Sequence, residues 1–201
     1  NPESQDIDMP RLVKEARAKQ LGLIVVDRAV PGPYQNYLTP EQHIPATGLT
    51  YPWETCMTMG NSWSYVPGDV YKPASEIIEK LVDIVSKGGN YLLNIGPGPD
   101  GEFDPVAYQR LKEIGAWMKI NGEAIYGTRM YTVFGENNSI HFTQSKDKKT
   151  QFIFLSGFPE NKVVITKMPF EKNTKVQMLG SNIKLPWKKT SSGIEITISR
   201  S

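Results

Sequence analysis

Apolar and polar positions change period along this chain, and the changes mark its elements. Met9, Leu12, Val13 and Ala16 share one face at helical spacing. Asp8 stands where a capping carboxylate takes the first free amides, and Pro10 falls in the first turn, so a helix is predicted from Met9 to Lys19–Gly22. Leu23–Val26 follows as an unbroken apolar run, which predicts a parallel strand buried on both faces. A second helix is predicted over Ser75–Lys87, with Ser75 as cap and Glu76 and Glu79 in its first turns. Ile77, Ile78, Leu81, Val82, Ile84 and Val85 form its wide apolar face, and Gly88–Gly89 ends it. Tyr91–Ile95 reads as another buried strand. Asp104 and Pro105 then open a third helix that buries Val106, Leu111, Ile114, Trp117 and Met118 and stops at Gly122.

With Met57–Met59 as a short middle strand, residues 1–126 alternate between helix and strand. That alternation predicts an α/β domain with a parallel sheet and crossover helices. A closed eight-stranded barrel takes about 250 residues. The domain is therefore either a small open sheet or the C-terminal portion of a (β/α) TIM-like barrel. From residue 127 to 201 the pattern differs. Ile140–Thr143, Gln151–Leu155, Val163–Thr166, Lys175–Met178 and Ile194–Ile198 are short β-rich runs split by turn residues, as in an antiparallel β-sandwich domain.

Two stretches fit neither period. Ala29–Gly48 is a long loop rich in Pro, Gly, Tyr and Asn, and loops of that length in compact domains are usually functional or disordered. Tyr51–Tyr65 is crowded with aromatics. A carboxyl group held against tryptophan keeps its proton to higher pH, which is what a glycosidase acid needs. Glu41 lies in the long loop and Glu54 adjoins Trp53. Each also reads as an ordinary residue, Glu41 as a solvated charge and Glu54 as a carboxylate bonded to a backbone amide. Arg28 closes the Leu23–Val26 run, where a guanidinium can orient a hydroxyl or carboxylate. Trp53 and Trp63 can wall a sugar ring or fill a core.

Composition narrows the classes. There are 23 basic and 21 acidic residues, a net charge of +2 that is too balanced to suggest nucleic acid. The Lys146–Lys149 cluster contains an Asp and reads as a hairpin tip. Cys56 is the only cysteine, so no internal disulfide forms, and two separated histidines make no metal motif. No apolar run reaches the roughly 18 residues of a membrane span. Gly96–Gly101 lacks the Lys-Ser/Thr of a phosphate loop and reads as a rigid turn.

Several separated strings resemble one family. Thr39–Pro45, Trp53–Tyr65, Gly88–Pro97, Asp100–Gly101 and Asn121–Tyr126 are similar, in that order, to the α-L-fucosidases of glycoside hydrolase family 29. The likeness runs from about residue 6 to the end and is weaker beyond 130. It implies a retaining exo-glycosidase with a barrel catalytic domain and a C-terminal β-sandwich, acting without metal or organic cofactor. Glu41 falls on the general acid/base, Arg28 on a fucose contact, and Trp63 on the aromatic beside the apolar side of the sugar. Trp53 and Glu54 match a recurrent pair that supports the substrate-binding residues. The family's nucleophile is an Asp in a Trp-x-Asp-Gly-like motif that this sequence lacks, and it is expected upstream of this chain with the sugar-binding histidines. The implied partners are a fucosylated oligosaccharide or glycoconjugate and the N-terminal half of the same enzyme. The implied location is extracytoplasmic: periplasmic, secreted or lysosomal. A non-catalytic carbohydrate-binding or structural module and another barrel glycoside hydrolase, such as a hexosaminidase, are the alternatives.

Overall fold

The computed structural model describes residues 7–28 and 31–198. Ala29 and Val30, where the long loop was expected to start, lie outside the described residues, as do the outermost ends of both expected domains. Helix α1 spans Met9–Lys19. Asp8 caps it by accepting the N–H of Arg11, and Pro10 sits in its first turn.

Four passages of chain then lie side by side and parallel. Val26 bridges Tyr37, Leu38 bridges Trp53, and Glu41 bridges Cys56. Strand β1, Glu54–Thr58, pairs in turn with strand β2, Asn90–Asn94, from Glu54 opposite Asn90 to Thr58 opposite Asn94. Helix α2, Ala74–Ser86, is the crossover between β1 and β2, and helix α3, Pro105–Asn121, follows β2.

Several expectations are corrected here. Leu23–Val26 is not a buried strand. Only Val26 makes a bridge, and Ile24 is 67% exposed. An apolar run is buried on both faces only where helices or strands cover both, and the described residues supply too few. The presumed loop instead contains the extended passage 37–41: just before it the Asn36 N–H donates to Val25 O, and within it Leu38 O accepts the Glu54 N–H. The aromatic stretch also carries regular structure, because β1 begins at Glu54, earlier than the expected Met57. Strand β2 is not buried either, and Leu92 is 51% exposed. Ser75 does not cap α2, whose cap residue is Pro73 with no side-chain bond. In α3, Val106 and Leu111 are exposed and only Ala107 is fully buried.

Side chains alternate across the parallel sheet. Met59 packs with Ile77 and Ala107, backed by Tyr91, Leu93 and Ile95, so this face meets α2 and α3. Glu54, Cys56 and Leu92 belong to the opposite face.

A short 3-10 turn, Gly122–Ala124, leads into the antiparallel part. Strands β3 (Thr128–Glu136), β4 (Ile140–Ser145) and β5 (Gln151–Leu155) form one sheet. Strands β6 (Lys162–Ile165), β7 (Trp187–Thr190) and β8 (Gly193–Thr197) form a second, in the order β6-β8-β7. Ile140 and Phe142 of the first sheet share a core with Ile165, Ile194 and Ile196 of the second. Glu136 ties the sheets together. It is buried and accepts bonds from the Thr166 N–H, the Thr166 hydroxyl and the Lys167 N–H. The expected strand Lys175–Met178 makes only the bridge from Gln177 to Lys184, whereas β3 and β7 were not anticipated. Helix α2 packs against β3 and β4, where Lys87 lies 5.1 Å above the Phe134 ring and Ser86 meets His141.

Candidate active site

The C-terminal ends of parallel strands carry the sites of α/β barrels, because the loops leaving those ends converge there. Arg28, Glu41 and Thr58 all lie at such ends. Glu41 ends the 37–41 passage, where its bridge to Cys56 and the bond from the Gln42 N–H to Cys56 O fix it against β1. The next residue, Gln42, turns the chain away with φ of 56°, a left-handed conformation uncommon for a residue with a side chain.

Arg28 Nη1 donates to the Glu41 carboxylate, and Arg28 Nη2 donates to Cys56 Sγ at 2.8 Å. Both side chains of the ion pair are somewhat over two-fifths exposed, so ligand can reach them. The hydrogen bond to Glu41 lifts the Arg28 pKa above its ordinary value against the opposing effect of burial. Thus Arg28, Glu41 and Cys56, drawn from three passages of chain, meet at one point. The charged partner of Glu41 in this structure is the Arg28 guanidinium. The His43 ring nitrogen Nδ1 lies 3.2 Å from Glu41 O, and the Thr55 hydroxyl donates to His43 O, which completes the turn. Asp27, next to Arg28, accepts the Thr39 hydroxyl at 2.6 Å.

The two tryptophans separate. Trp63 is 41% exposed on the loop after β1, and its carbonyl accepts from Asn94 Nδ2 at the end of β2. Trp53 is 1% exposed, and its ring lies so close over Gly89 that an added Cβ there would stand 2.3 Å from Trp53 Cζ2. Trp53 therefore offers no face to a ligand in this structure and packs the sheet from below. Glu54 is half-buried at the start of β1, the opposite end of the strand from Thr58.

The Trp63 loop is held by groups that sequence reasoning missed. The Asp69 carboxylate accepts the N–H groups of Asn61, Ser62 and Val70. Burial pushes its pKa up, but those amides and Lys72 outweigh it and leave the group below its ordinary value. Lys72 Nζ donates to Thr58 O at 2.7 Å and Gly60 O at 2.8 Å, and burial lowers its pKa. Gly60 faces the Asp69 carboxylate and Gly96 the Ser64–Tyr65 backbone, each with no room for a Cβ. Only those two glycines, amid aromatics and turn residues, hinted at this close packing. Among the described residues no group of acidic, histidine and cysteine side chains is arranged to hold a metal ion, and no helix is long and apolar enough to cross a membrane.

A parallel α/β segment with a carboxylate and guanidinium at its strand ends, joined to an antiparallel sandwich, defines the barrel-plus-sandwich class. Comparison with known proteins makes this specific. The sequence model of "Alpha-L-fucosidase" matches residues 2–123, and that of "Alpha-L-fucosidase C-terminal domain" matches residues 136–201. The chain belongs to the α-L-fucosidase family. Human tissue α-L-fucosidase is 43% identical over 143 residues, covering 67% of this chain and 30% of that protein. The mouse tissue enzyme is 37% identical over 156 residues, covering 75% and 34%. The chain thus spans about a third of the length of the curated relatives it matches. Among solved structures, the α-fucosidase of Thermotoga maritima superposes with a TM-score of 0.82 at 30% identity, over 96% of this chain and 45% of that one. An α-L-fucosidase isoenzyme of Paenibacillus thiaminolyticus gives 0.84 at 24% identity, over 96% and 50%, which is a likeness of fold. The described residues therefore comprise the C-terminal portion of a TIM-like barrel followed by an antiparallel β-sandwich.

Proposed function

We propose that this chain forms the acid/base side of an α-L-fucosidase active site, in an enzyme that removes terminal α-L-fucose from glycans with retention of configuration. One observation carries the reading. Glu41 and Arg28, the two residues singled out on motif grounds, meet at a solvent-reachable point at the strand ends of the barrel. The Thermotoga maritima relative has been crystallised in complex with fucose, which supports a fucosylated substrate.

In the proposed cycle an Asp outside this chain's matched motifs attacks the anomeric carbon. Glu41 gives a proton to the departing oxygen, then takes one from the water that cleaves the covalent intermediate. Retention places the two carboxyl groups about 5 to 5.5 Å apart. Arg28 supplies hydrogen bonds to the sugar. When the sugar draws the guanidinium away, the Glu41 carboxyl is free to face the departing oxygen. Trp63 stands beside the apolar side of the ring, as its exposed place on the rim allows. Trp53 and Glu54 act from beneath and from the far end of β1, without touching sugar. No cofactor enters the cycle. We assign residues 1–126 to the catalytic barrel, 127–201 to the sandwich, and the enzyme to an extracytoplasmic compartment, as the family resemblance implies.

The test is Glu41→Gln in the full-length chain. Hydrolysis of natural fucosides should fall by the factor of roughly a hundred to ten thousand that acid–base catalysis supplies. Aryl fucosides with acidic leaving groups should lose far less, and azide should restore turnover to Glu41→Ala. Equal losses on both substrate types would remove Glu41 from the acid/base role.

A further inference from the structure

Thr58 ends β1, is 2% exposed, and is opposite Asn94 in the parallel register. Its hydroxyl is fully committed. It donates to Gly60 O at 2.6 Å, accepts Gln42 Nε2 at 3.2 Å, and has Lys72 Nζ at 3.5 Å. That is one donor and two lone pairs, the whole capacity of a hydroxyl. Two separate parts of the site therefore converge on a single oxygen. One is the turn immediately after Glu41, where Gln42 holds a left-handed backbone that is strained for a residue with a Cβ. The other is the Gly60–Asp69 loop that presents Trp63, anchored through Gly60 O and Lys72. Asn94, the strand partner of Thr58, holds the same loop at Trp63 O.

We propose that Thr58 is a positioning residue that sets the Glu41 turn and the Trp63 loop relative to each other. It touches neither substrate nor reacting atoms. It acts by locking Gln42, whose backbone aims the carboxylate, and Gly60, whose backbone begins the aromatic loop. A loss of its hydroxyl strands the Gln42 amide and frees the strained turn to relax, while the loop shifts independently. The proposal rests on the reading of Glu41 as acid/base and Trp63 as sugar wall.

The experiment compares Thr58→Val and Thr58→Ser in the full-length chain. Valine keeps the branched shape and removes the hydroxyl, whereas serine keeps the hydroxyl. Thr58→Val should lower kcat on a natural fucoside by roughly ten-fold, less than the hundred-fold that a misplacement of about 1 Å can cost. On an activated aryl fucoside kcat should change little while KM rises several-fold, because only the wall is then at stake. Thr58→Ser should restore both quantities to within about two-fold. A merely structural threonine predicts a lowered melting midpoint with kcat and KM unchanged per folded molecule, and that result overturns the proposal. Equal loss in the serine and valine variants also overturns it. Glu41→Gln run alongside separates the two ideas. Leaving-group dependence in Glu41→Gln but none in Thr58→Val removes Thr58 alone, whereas its absence from Glu41→Gln removes both.

Discussion

Arg28 and Glu41 are 13 residues apart in sequence, yet their side chains meet because two parallel passages end together. Cys56 enters the same contact from β1, so a residue with no evident partner in the sequence becomes a seat for the guanidinium. At this scale, burial decides between rival readings of a side chain. Trp63 lies open on the rim, while Trp53 is enclosed over Gly89. Gly89→Ala should therefore force the ring or the backbone to shift. Overpacking of this kind costs roughly 1–3 kcal/mol, readable as a lower denaturant midpoint in the full-length chain. An unchanged midpoint would show that the tryptophan has room to yield.

Elements with strong local signals were legible in the sequence, and those defined by partners were not. Helix α1 starts at its Asp8 cap and α3 at its Asp104 cap, where the carboxylate accepts the Val106 N–H. Asp104→Ala should cost about 1 kcal/mol of stability, the usual value of such a cap; calorimetry that finds no change would mean another group takes the freed amide. Helix α2 ends at Ser86, one residue before the expected Lys87, and Gly88 just beyond it takes the left-handed conformation with φ of 81°. The passage 37–41, in contrast, owes its extended form to Val26 on one side and β1 on the other, and no run of residues announces that. Strand β3 contains a register break between Met130 and Gly135, which blurs its alternation. The same holds for the site. Motifs point to Glu41 and Arg28, whereas Gln42, Thr58, Asp69, Lys72 and Asn94 matter only through bonds that the fold creates.

At the scale of the whole molecule, the barrel portion and the sandwich meet along α2. His141 of β4 lies there, with Nδ1 3.3 Å from the Ser86 hydroxyl and 3.7 Å from Asp83. Burial lowers its pKa, partly offset by Asp83 and reinforced by Lys87. A histidine whose folded pKa is depressed leaves stability intact above its unfolded value, about 6.5, and loses it as pH falls toward the folded value. Stability of the full-length chain should therefore decline below about pH 6.5, and His141→Gln should flatten that decline. A pH-stability curve with the same acid slope in wild type and variant would place the sensitivity elsewhere.

The most direct measurement is a crystal structure of the full-length chain holding an uncleaved fucosyl disaccharide. A Glu41 carboxyl oxygen should lie within about 2.6–3.2 Å of the oxygen joining the two sugars, with Arg28 turned toward the fucose. A different carboxyl group at that oxygen, with Glu41 still held by Arg28 and remote from the bond, would contradict the assignment.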